Sequence, residues 1–232
     1  MARTKNPKQR IAELLAAGTT VFRRKGFRRT QMSDIAAEMN CSAGTLYNYV
    51  DSKEALFEHA IVAGFTRALP DSETLPLSLP APTAVEVIKR RSQEIAEGST
   101  LDQANRRGSV EDPAEEVIRI VTAFFLFFSD YHAVLDMIEA SQLDCPDVAT
   151  AYLEARRDLV FEPWRGWVEQ RQKAGLFRQD IDPVWTTRYL IEILAWAAWK
   201  ARDGGEPYDE DKARDAIIKL ALSSLLRDED RP

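Results

Sequence analysis

Apolar residues recur at helical spacing along most of the chain, and the alternation that predicts strands is nearly absent. A first helix is predicted from Pro7, capped by Asn6, to Gly26, a residue suited to a left-handed helix end. One face of this helix is apolar at spacings of three and four residues. Its members are Ile11, Leu14, Leu15, Gly18 and Phe22. The pattern predicts an all-α protein.

Two short helices are predicted next, from about Gln31 to Met39 and from Ala43 to Tyr49. Thr30 is the expected cap of the former, and Ser42 that of the latter. The turn between them contains Asn40, a residue that tolerates the left-handed conformation. Two helices of about two turns joined by a tight turn predict a helix-turn-helix. A fourth helix, capped by Asp51 or Ser52, is expected to reach about Leu69.

Charge is distributed unevenly along the chain. The formal net charge is −6, which alone argues against a nucleic-acid partner, yet residues 1–59 hold ten Lys/Arg and six Asp/Glu. The remaining residues hold 21 basic and 31 acidic side chains. A cationic headpiece on an acidic body suits DNA binding. From charge alone, a merely solvated surface remains an equal alternative.

The N-terminal residues also match a known pattern. It reads Gly26-Phe27-x-x-Thr30-x-Met32-x-Asp34-Ile35-Ala36, then Ser42-Ala43-Gly44-Thr45-Leu46-Tyr47-x-Tyr49-Val50-x-Ser52-Lys53-x-x-Leu56. This pattern resembles the DNA-binding domain of the tetracycline-repressor (TetR/AcrR) family. The resemblance implies an all-α fold with a three-helix helix-turn-helix domain over residues 7–67. A larger helical domain for ligand binding and dimerisation is expected over residues 68–232.

The resemblance further implies a cytoplasmic homodimer that represses transcription and leaves its operator when a small molecule binds the C-terminal domain. Three positions depart from the family pattern, namely Asn40, Cys41 and Val50, and none of them argues against the fold. The short Ala43 side chain also stands where a longer polar residue is common, which puts one base contact in doubt.

The resemblance assigns DNA-contacting roles to residues of the headpiece. The third helix is expected to enter the major groove. Thr30, Gln31, Tyr47, Tyr49 and Lys53 are expected to contact the phosphate backbone. Base edges are assigned to Ser33, Ala43, Gly44, Thr45 and Asn48, with Ser42 beside them. A basic arm of Arg3, Lys5, Lys8 and Arg10 is expected to follow the backbone or the minor groove.

The C-terminal part is predicted to hold the effector. A connector runs from Pro70 to Pro82, and later helices are expected over about 83–97, 113–129, 131–142, 147–174, 183–202 and 209–226. An apolar pocket with few polar groups suits a hydrophobic or aromatic effector. The expected lining residues are Phe125, Phe128, His132, Tyr152, Trp164, Trp167, Arg188 and Tyr189. Plain core packing is the alternative for each aromatic residue, and an ion pair with Glu192 is the alternative for Arg188.

The last two helices are expected to dimerise as a four-helix bundle, as the resemblance implies. The interface residues predicted on them are Trp196, Trp199, Ile217, Ile218, Ala221 and Leu225. The alternative is that both helices pack only on their own subunit.

Other functions find less support in the sequence. No nucleophile–histidine pair, metal-ligand spacing or phosphate loop is present, so we expect no catalysis and no cofactor. The apolar run Ile120–Ser129 has ten residues, whereas a membrane span needs about 20. We therefore expect a soluble cytoplasmic regulator. A DNA-architectural protein that senses nothing, and a helical enzyme with a DNA-binding appendage, are the competing hypotheses.

Overall fold

The computed structural model describes residues 6–107, 112–203 and 207–227. Within these ranges the chain forms eleven α-helices and no strand, which confirms the predicted all-α class. The helices are α1 (Pro7–Arg29), α2 (Met32–Glu38), α3 (Ala43–Leu46), α4 (Lys53–Thr66), α5 (Ala84–Ala96), α6 (Thr100–Arg106), α7 (Pro113–Ser141), α8 (Pro146–Arg156), α9 (Glu162–Lys173), α10 (Pro183–Ala198) and α11 (Glu210–Leu225). Arg3 and Lys5 of the predicted arm lie outside the described residues.

The chain divides into two compact units. The first comprises residues 1–91 and 133–154, and the second comprises residues 92–132 and 155–232. The first unit thus includes the connector, the first part of α5, the end of α7 and most of α8 in addition to the helix-turn-helix. The functional boundary predicted between residues 67 and 68 remains a prediction.

The predicted helix-turn-helix forms with small shifts at the helix ends. Gly26 interrupts α1 with a φ of 74° and a ψ of 170°, outside the helical region. The cap of α2 is Gln31 and not Thr30, because the Gln31 N–H donates to the Asp34 carboxylate at 3.0 Å. Asn40 has the expected positive φ, of 53°. The third helix is a single turn that ends at Leu46, so the prediction that it extends to Tyr49 is wrong.

The fourth helix is shorter than predicted. Ser52 caps it by accepting from the Ala55 N–H at 3.0 Å. It ends at Thr66 and not near Leu69, because Arg67 turns left-handed with a φ of 59°. Beyond it, only Leu77 among the three connector leucines is buried. Of the three leucines, Leu77 alone thus contributes to the core.

A single helix replaces two predicted ones in the middle of the chain. The predicted break near Ser129 does not occur, and α7 continues over 29 residues because no glycine or proline stops it. By length and composition alone this helix suffices to cross a membrane. It also contributes fully buried core residues, Val117, Ile120 and Phe125 among them, while Leu126 is 43% exposed. Helix α7 is thus buried mainly on one side.

The next long helix contains an irregularity. Helices α8 and α9 are continuous through a π-helical turn over Arg157–Phe161. Pro163 has no N–H to donate, and its ring crowds the carbonyl one turn earlier, which favours such a widened turn. Helix α9 ends at Lys173, close to the predicted end at residue 174, and Gly175 then adopts a φ of 72°.

Candidate nucleic-acid interface

Helix α3 and the turn after it, residues 43–50, are called the recognition turn. This segment presents polar side chains that the protein itself does not need for packing. Leu46 and Val50 are buried and anchor this turn. Tyr47 is 48% exposed, and Asn48 is exposed beside it. These outward groups can donate to phosphates and pair with base edges. The predicted DNA-contacting residues Ser42, Gly44, Tyr47 and Asn48 therefore lie on one accessible segment, with Ala43, Thr45 and Tyr49 half-buried among them.

Ser42 organises the start of this segment. Its hydroxyl accepts from the Thr45 N–H at 3.3 Å and lies 2.8 Å from the Thr45 hydroxyl. The cap therefore also restricts the rotamer of Thr45. A hydroxyl held in this way can read a base edge with little loss of side-chain freedom.

Gly44 has no packing function within the chain. A Cβ built on Gly44 would meet nothing closer than the Ser42 hydroxyl at 3.9 Å, and its φ is not positive. Glycine in a helix costs up to about 1 kcal/mol relative to alanine. Nothing within the described chain therefore requires glycine at this position.

The predicted phosphate ligands Thr30 and Lys53 are already engaged. Thr30 is buried, and its hydroxyl donates to the Gly26 carbonyl at 2.7 Å. The Lys53 ammonium donates to the carbonyls of Phe27 and Thr30 at 3.0 and 3.1 Å, and it lies 4.3 Å from the centre of the Phe27 ring. Lys53 thus holds the turn between α1 and α2, and only its third hydrogen is left for a phosphate. Gln31 and Ser33 are exposed next to this turn.

Acidic side chains of α2 neutralise part of the basic charge on α1. A count of charges along the sequence does not show this pairing. Lys25 lies 2.7 Å from Asp34, and Arg24 lies 3.5 Å from Glu38. The hydrogen bond from Lys25 is the main cause that lowers the pKa of Asp34. These pairs tie α1 to α2. Lys8 remains exposed at the start of α1, whereas Arg10 pairs with Glu13 at 3.2 Å.

The connector touches the end of the recognition turn, which sequence reasoning missed. The Leu77 N–H donates to the Tyr49 carbonyl at 2.8 Å, and the Asp51 N–H donates to the Leu77 carbonyl at 3.0 Å. Nearby, His59 Nε2 lies 2.8 Å from the Ser78 carbonyl oxygen. Burial lowers the pKa of His59. The alternating leucines of the connector were the available sequence signal.

An open cavity of about 420 Å³ lies between α4, the connector and α5. Its walls include His59, Val62, Leu77 and Val87. The volume falls within the range of small-molecule sites. This cavity was not predicted from the sequence.

The second unit contains a dense aromatic cluster. The predicted effector residues Phe125, Phe128, Trp164 and Trp167 are all buried there. Phe124 lies against Trp164 and Phe128, at ring-centre distances of 5.2 and 6.3 Å. The indole N–H groups of Trp164 and Trp199 are buried, and neither has a hydrogen-bond partner among the described residues. The cluster thus combines apolar aromatic rings with two buried N–H donors that require acceptors.

A buried ion pair adjoins the aromatic cluster. Glu116 accepts from the Arg171 guanidinium at 2.7 and 2.9 Å and from the Trp167 indole at 3.0 Å. Arg171 also donates to the Ala104 carbonyl at 2.9 Å. This arrangement joins α6, α7 and α9. The sequence offered no signal for it, because its members are distant along the chain.

The other predicted effector residues lie elsewhere. Arg188 and Tyr189 point outward from α10, with Tyr189 60% exposed and Arg188 5.2 Å from the Phe161 ring centre. The expected Arg188–Glu192 pair is not seen, since Glu192 pairs with Arg156. His132 Nδ1 contacts the Ser129 carbonyl oxygen, still within the second unit. Tyr152 belongs to the first unit, where its hydroxyl donates to Glu139 at 3.4 Å.

Most predicted interface residues are part of the subunit core. Trp199, Ile217, Ala221 and Leu225 are buried within the chain, so only Trp196 and the half-buried Ile218 reach the surface. A different face of α10 and α11 exposes large apolar side chains. Its members are Trp185, Tyr189, Ile193, Trp196 and Leu220.

Among the residues that the structure describes, no group of three His, Cys, Asp or Glu is placed to hold a metal ion. Cys41 and Cys145 are both free thiols.

The chain is similar to known regulators over two different extents. Residues 14–60 match the family model described as "Bacterial regulatory proteins, tetR family". The uncharacterized HTH-type transcriptional regulator YfiR of Bacillus subtilis is 43% identical over 61 residues, which span 26% of this chain and 30% of YfiR. The HTH-type transcriptional repressor KstR2 of Rhodococcus jostii is 25% identical over 93% of this chain and 91% of its own.

Solved structures share the fold. The ketosteroid transcriptional regulator KstR2 of Mycobacterium tuberculosis superimposes with a TM-score of 0.61 at 19% identity, covering 94% of this chain and 96% of that one. AibR, solved with isovaleryl coenzyme A and operator DNA, gives 0.53 at 16% identity, with 91% and 97% covered. Residues 14–60 therefore match the DNA-binding domain of the tetR family of bacterial regulatory proteins, and the relative similar along nearly the whole chain is a transcriptional repressor.

Proposed function

We propose that this protein is a cytoplasmic homodimeric repressor that binds a near-palindromic operator and is released by a hydrophobic or aromatic effector. The observation that carries the proposal is the recognition turn, where Tyr47 and Asn48 extend outward without packing roles. Similarity to KstR2, a transcriptional repressor, along 93% of the chain supports repression over activation.

The exposed face of α10 supports dimerisation. Trp185 and Trp196 are 56% and 59% exposed, and Tyr189 and Ile193 lie between them at helical spacing. Large aromatic residues clustered in this way are typical of interface centres. A two-fold dimer presents two identical recognition turns, so its operator is expected to be a near-palindrome.

The aromatic cluster of the second unit supports the effector site. Trp164 and Trp199 each place a buried indole donor beside apolar rings, which suits a hydrophobic ligand with a carbonyl or carboxylate oxygen. KstR2 is a ketosteroid transcriptional regulator, and AibR was solved in complex with isovaleryl coenzyme A. Both similarities favour an effector of this chemistry. An effector that prefers one arrangement of these helices shifts the population away from the DNA-bound form.

The experiment is to mix purified protein with random duplexes, recover the retained fragments and sequence them. A single palindromic motif is expected, bound at one dimer per site in light scattering. Retention without a common motif would instead support the architectural hypothesis.

The effector site is tested with isovaleryl coenzyme A and a ketosteroid as probes in thermal-shift assays. Trp164→Phe keeps an aromatic side chain and removes the indole N–H donor. The variant should therefore bind more weakly any probe that occupies the cluster. Val62→Trp narrows the cavity beside His59 and serves as the matched comparison. Loss of binding in Val62→Trp alone would move the effector site to that cavity.

A further inference from the structure

The turn between α1 and α2 contacts a distant part of the first unit. The Asp144 carboxylate, at the corner between α7 and α8, accepts from the Arg28 backbone N–H at 2.9 Å. A Cβ built on Gly26 would lie 2.5 Å from the Ala140 carbonyl oxygen and 3.7 Å from the Asp144 carboxylate. The two segments approach so closely that only glycine fits between them.

Asp144 does not act as an ordinary helix cap. The sequence Asp144-Cys145-Pro146-Asp147 is typical of a capping turn before a helix. The only side-chain hydrogen bond of Asp144 within the described chain, however, goes to Arg28 and not to its own turn. This carboxylate thus holds a segment that is 116 residues away along the chain.

The same helix end makes further contacts with the headpiece. Arg23, on α1, donates to the Asp136 carboxylate on α7 at 2.8 and 3.2 Å. Gly64, on α4, lies so close to Val134 that a Cβ there would approach it to 2.7 Å. Both α1 and α4 therefore pack directly on the last turns of α7.

The turn is held from both sides by complementary groups. Lys53 donates to the Phe27 and Thr30 carbonyls, while Asp144 accepts the N–H of Arg28 between them. Burial, and then the charge of Asp144, raise the pKa of the adjacent Cys145 thiol to about 11. Cys145 is consequently neutral near pH 7.

We infer that Asp144 is a positioning residue for DNA binding, which fixes the α1–α2 turn and with it the start of α2 that faces the phosphates. Removing the carboxylate releases the Arg28 N–H and loosens the turn. The recognition turn then loses the fixed orientation that specific binding requires. This inference rests on the proposed function only in taking a specific operator as the measured partner.

The test compares Asp144→Ala, Asp144→Asn and Asp147→Ala. Asp147 lies in the same corner, and Asp147→Ala removes a charge of the same sign. This variant therefore controls for the electrostatic effect on DNA affinity. The asparagine oxygen still accepts a hydrogen bond, so Asp144→Asn should restore much of the contact. Hydrogen exchange of the Arg28 amide, melting temperature, and affinity for the selected operator and for random DNA are measured at one salt concentration.

For Asp144→Ala we expect exchange at Arg28 to accelerate at least tenfold and operator affinity to fall by about tenfold, with random-DNA affinity and melting temperature nearly unchanged. Asp147→Ala should behave as wild type, and Asp144→Asn should lie between. The inference is overturned if Asp144→Ala matches Asp147→Ala. Faster exchange with unaltered operator affinity overturns it too, because the contact would then be structural alone. The exchange measurement needs no DNA, so it remains informative if the wild type selects no operator.

Discussion

Two glycines of the headpiece lie in opposite surroundings, one tightly packed and one open. Gly26 has a φ of 74° and lies against the Ala140 carbonyl, so the interior of the protein demands it. Gly44 has ordinary backbone geometry and open space around it. The first is explained by the fold, whereas nothing in the described fold requires the second, and its contact with DNA stays a prediction.

Replacing Gly44 by alanine should therefore separate stability from binding. We expect Gly44→Ala to melt at the same or a higher temperature, because alanine favours the helix by up to about 1 kcal/mol. Operator affinity should fall, since a Cβ would stand between the backbone and the base edges. Melting curves and fluorescence anisotropy measure the two effects. Gly26→Ala is the matched comparison and should destabilise the protein; undiminished operator binding by Gly44→Ala would contradict the assignment.

At the scale of helices, one buried ion pair organises the second unit. Glu116 and Arg171 are both almost fully buried, and their partners satisfy the charged groups from α6, α7 and α9. Breaking a buried pair by removing one partner leaves a charge without compensation, which typically costs about 3–5 kcal/mol. A single buried ion pair thus links these three helices.

Glu116→Gln should lower the free energy of unfolding by about 3 kcal/mol, measured by urea titration. Glu162→Gln is the control, because Glu162 pairs with Arg165 on the surface and its loss should cost no more than about 1 kcal/mol. Equal effects of the two substitutions would show that the buried pair contributes no more than an exposed one.

The contact between α4 and the connector should respond to pH. Burial holds the pKa of His59 below its usual 6.5, against the opposing effects of the Ser78 carbonyl and the charges of Glu58 and Asp51. The unfolded chain thus binds the proton at a higher pH than the folded chain does. The stabilisation is present above about pH 6.5 and is lost as the pH falls below that value.

Unfolding free energies measured between pH 7.5 and pH 5 should consequently fall more steeply for the wild type than for His59→Gln, which cannot titrate. The slope difference isolates His59 from the carboxylates, which titrate in both proteins. Identical slopes would indicate that His59 titrates alike in the folded and unfolded chain.

At the scale of the whole molecule, the exposed α10 face predicts the mode of assembly. Charging Ile193 and Trp196 together, as Ile193→Glu with Trp196→Glu, should yield monomers that remain folded, because both residues are exposed in the single chain. Light scattering measures the mass, and circular dichroism confirms the helices. Leu79→Glu, on the exposed connector, is the control and should leave the dimer intact. Dimers that persist in the double variant would place the interface elsewhere.

The sequence alone determined the features that depend on local order. Asn6, Ser42 and Ser52 cap helices where predicted, and Asn40 turns left-handed, because caps and turns are encoded by residues a few positions apart. The helix-turn-helix and its family followed from the same local pattern.

Only the tertiary structure decided how side chains are used once distant segments meet. Thr30 and Lys53 were predicted at the DNA surface, but their polar groups bind backbone carbonyls inside the headpiece. Tyr189 was predicted inward and Leu225 at the interface, and the structure reverses both. Helical periodicity identifies apolar faces, but it does not show which of two apolar faces on a helix the subunit buries. The partners of Asp144 and Glu116, 116 and 55 residues away, are fixed by packing between helices, which no local pattern encodes.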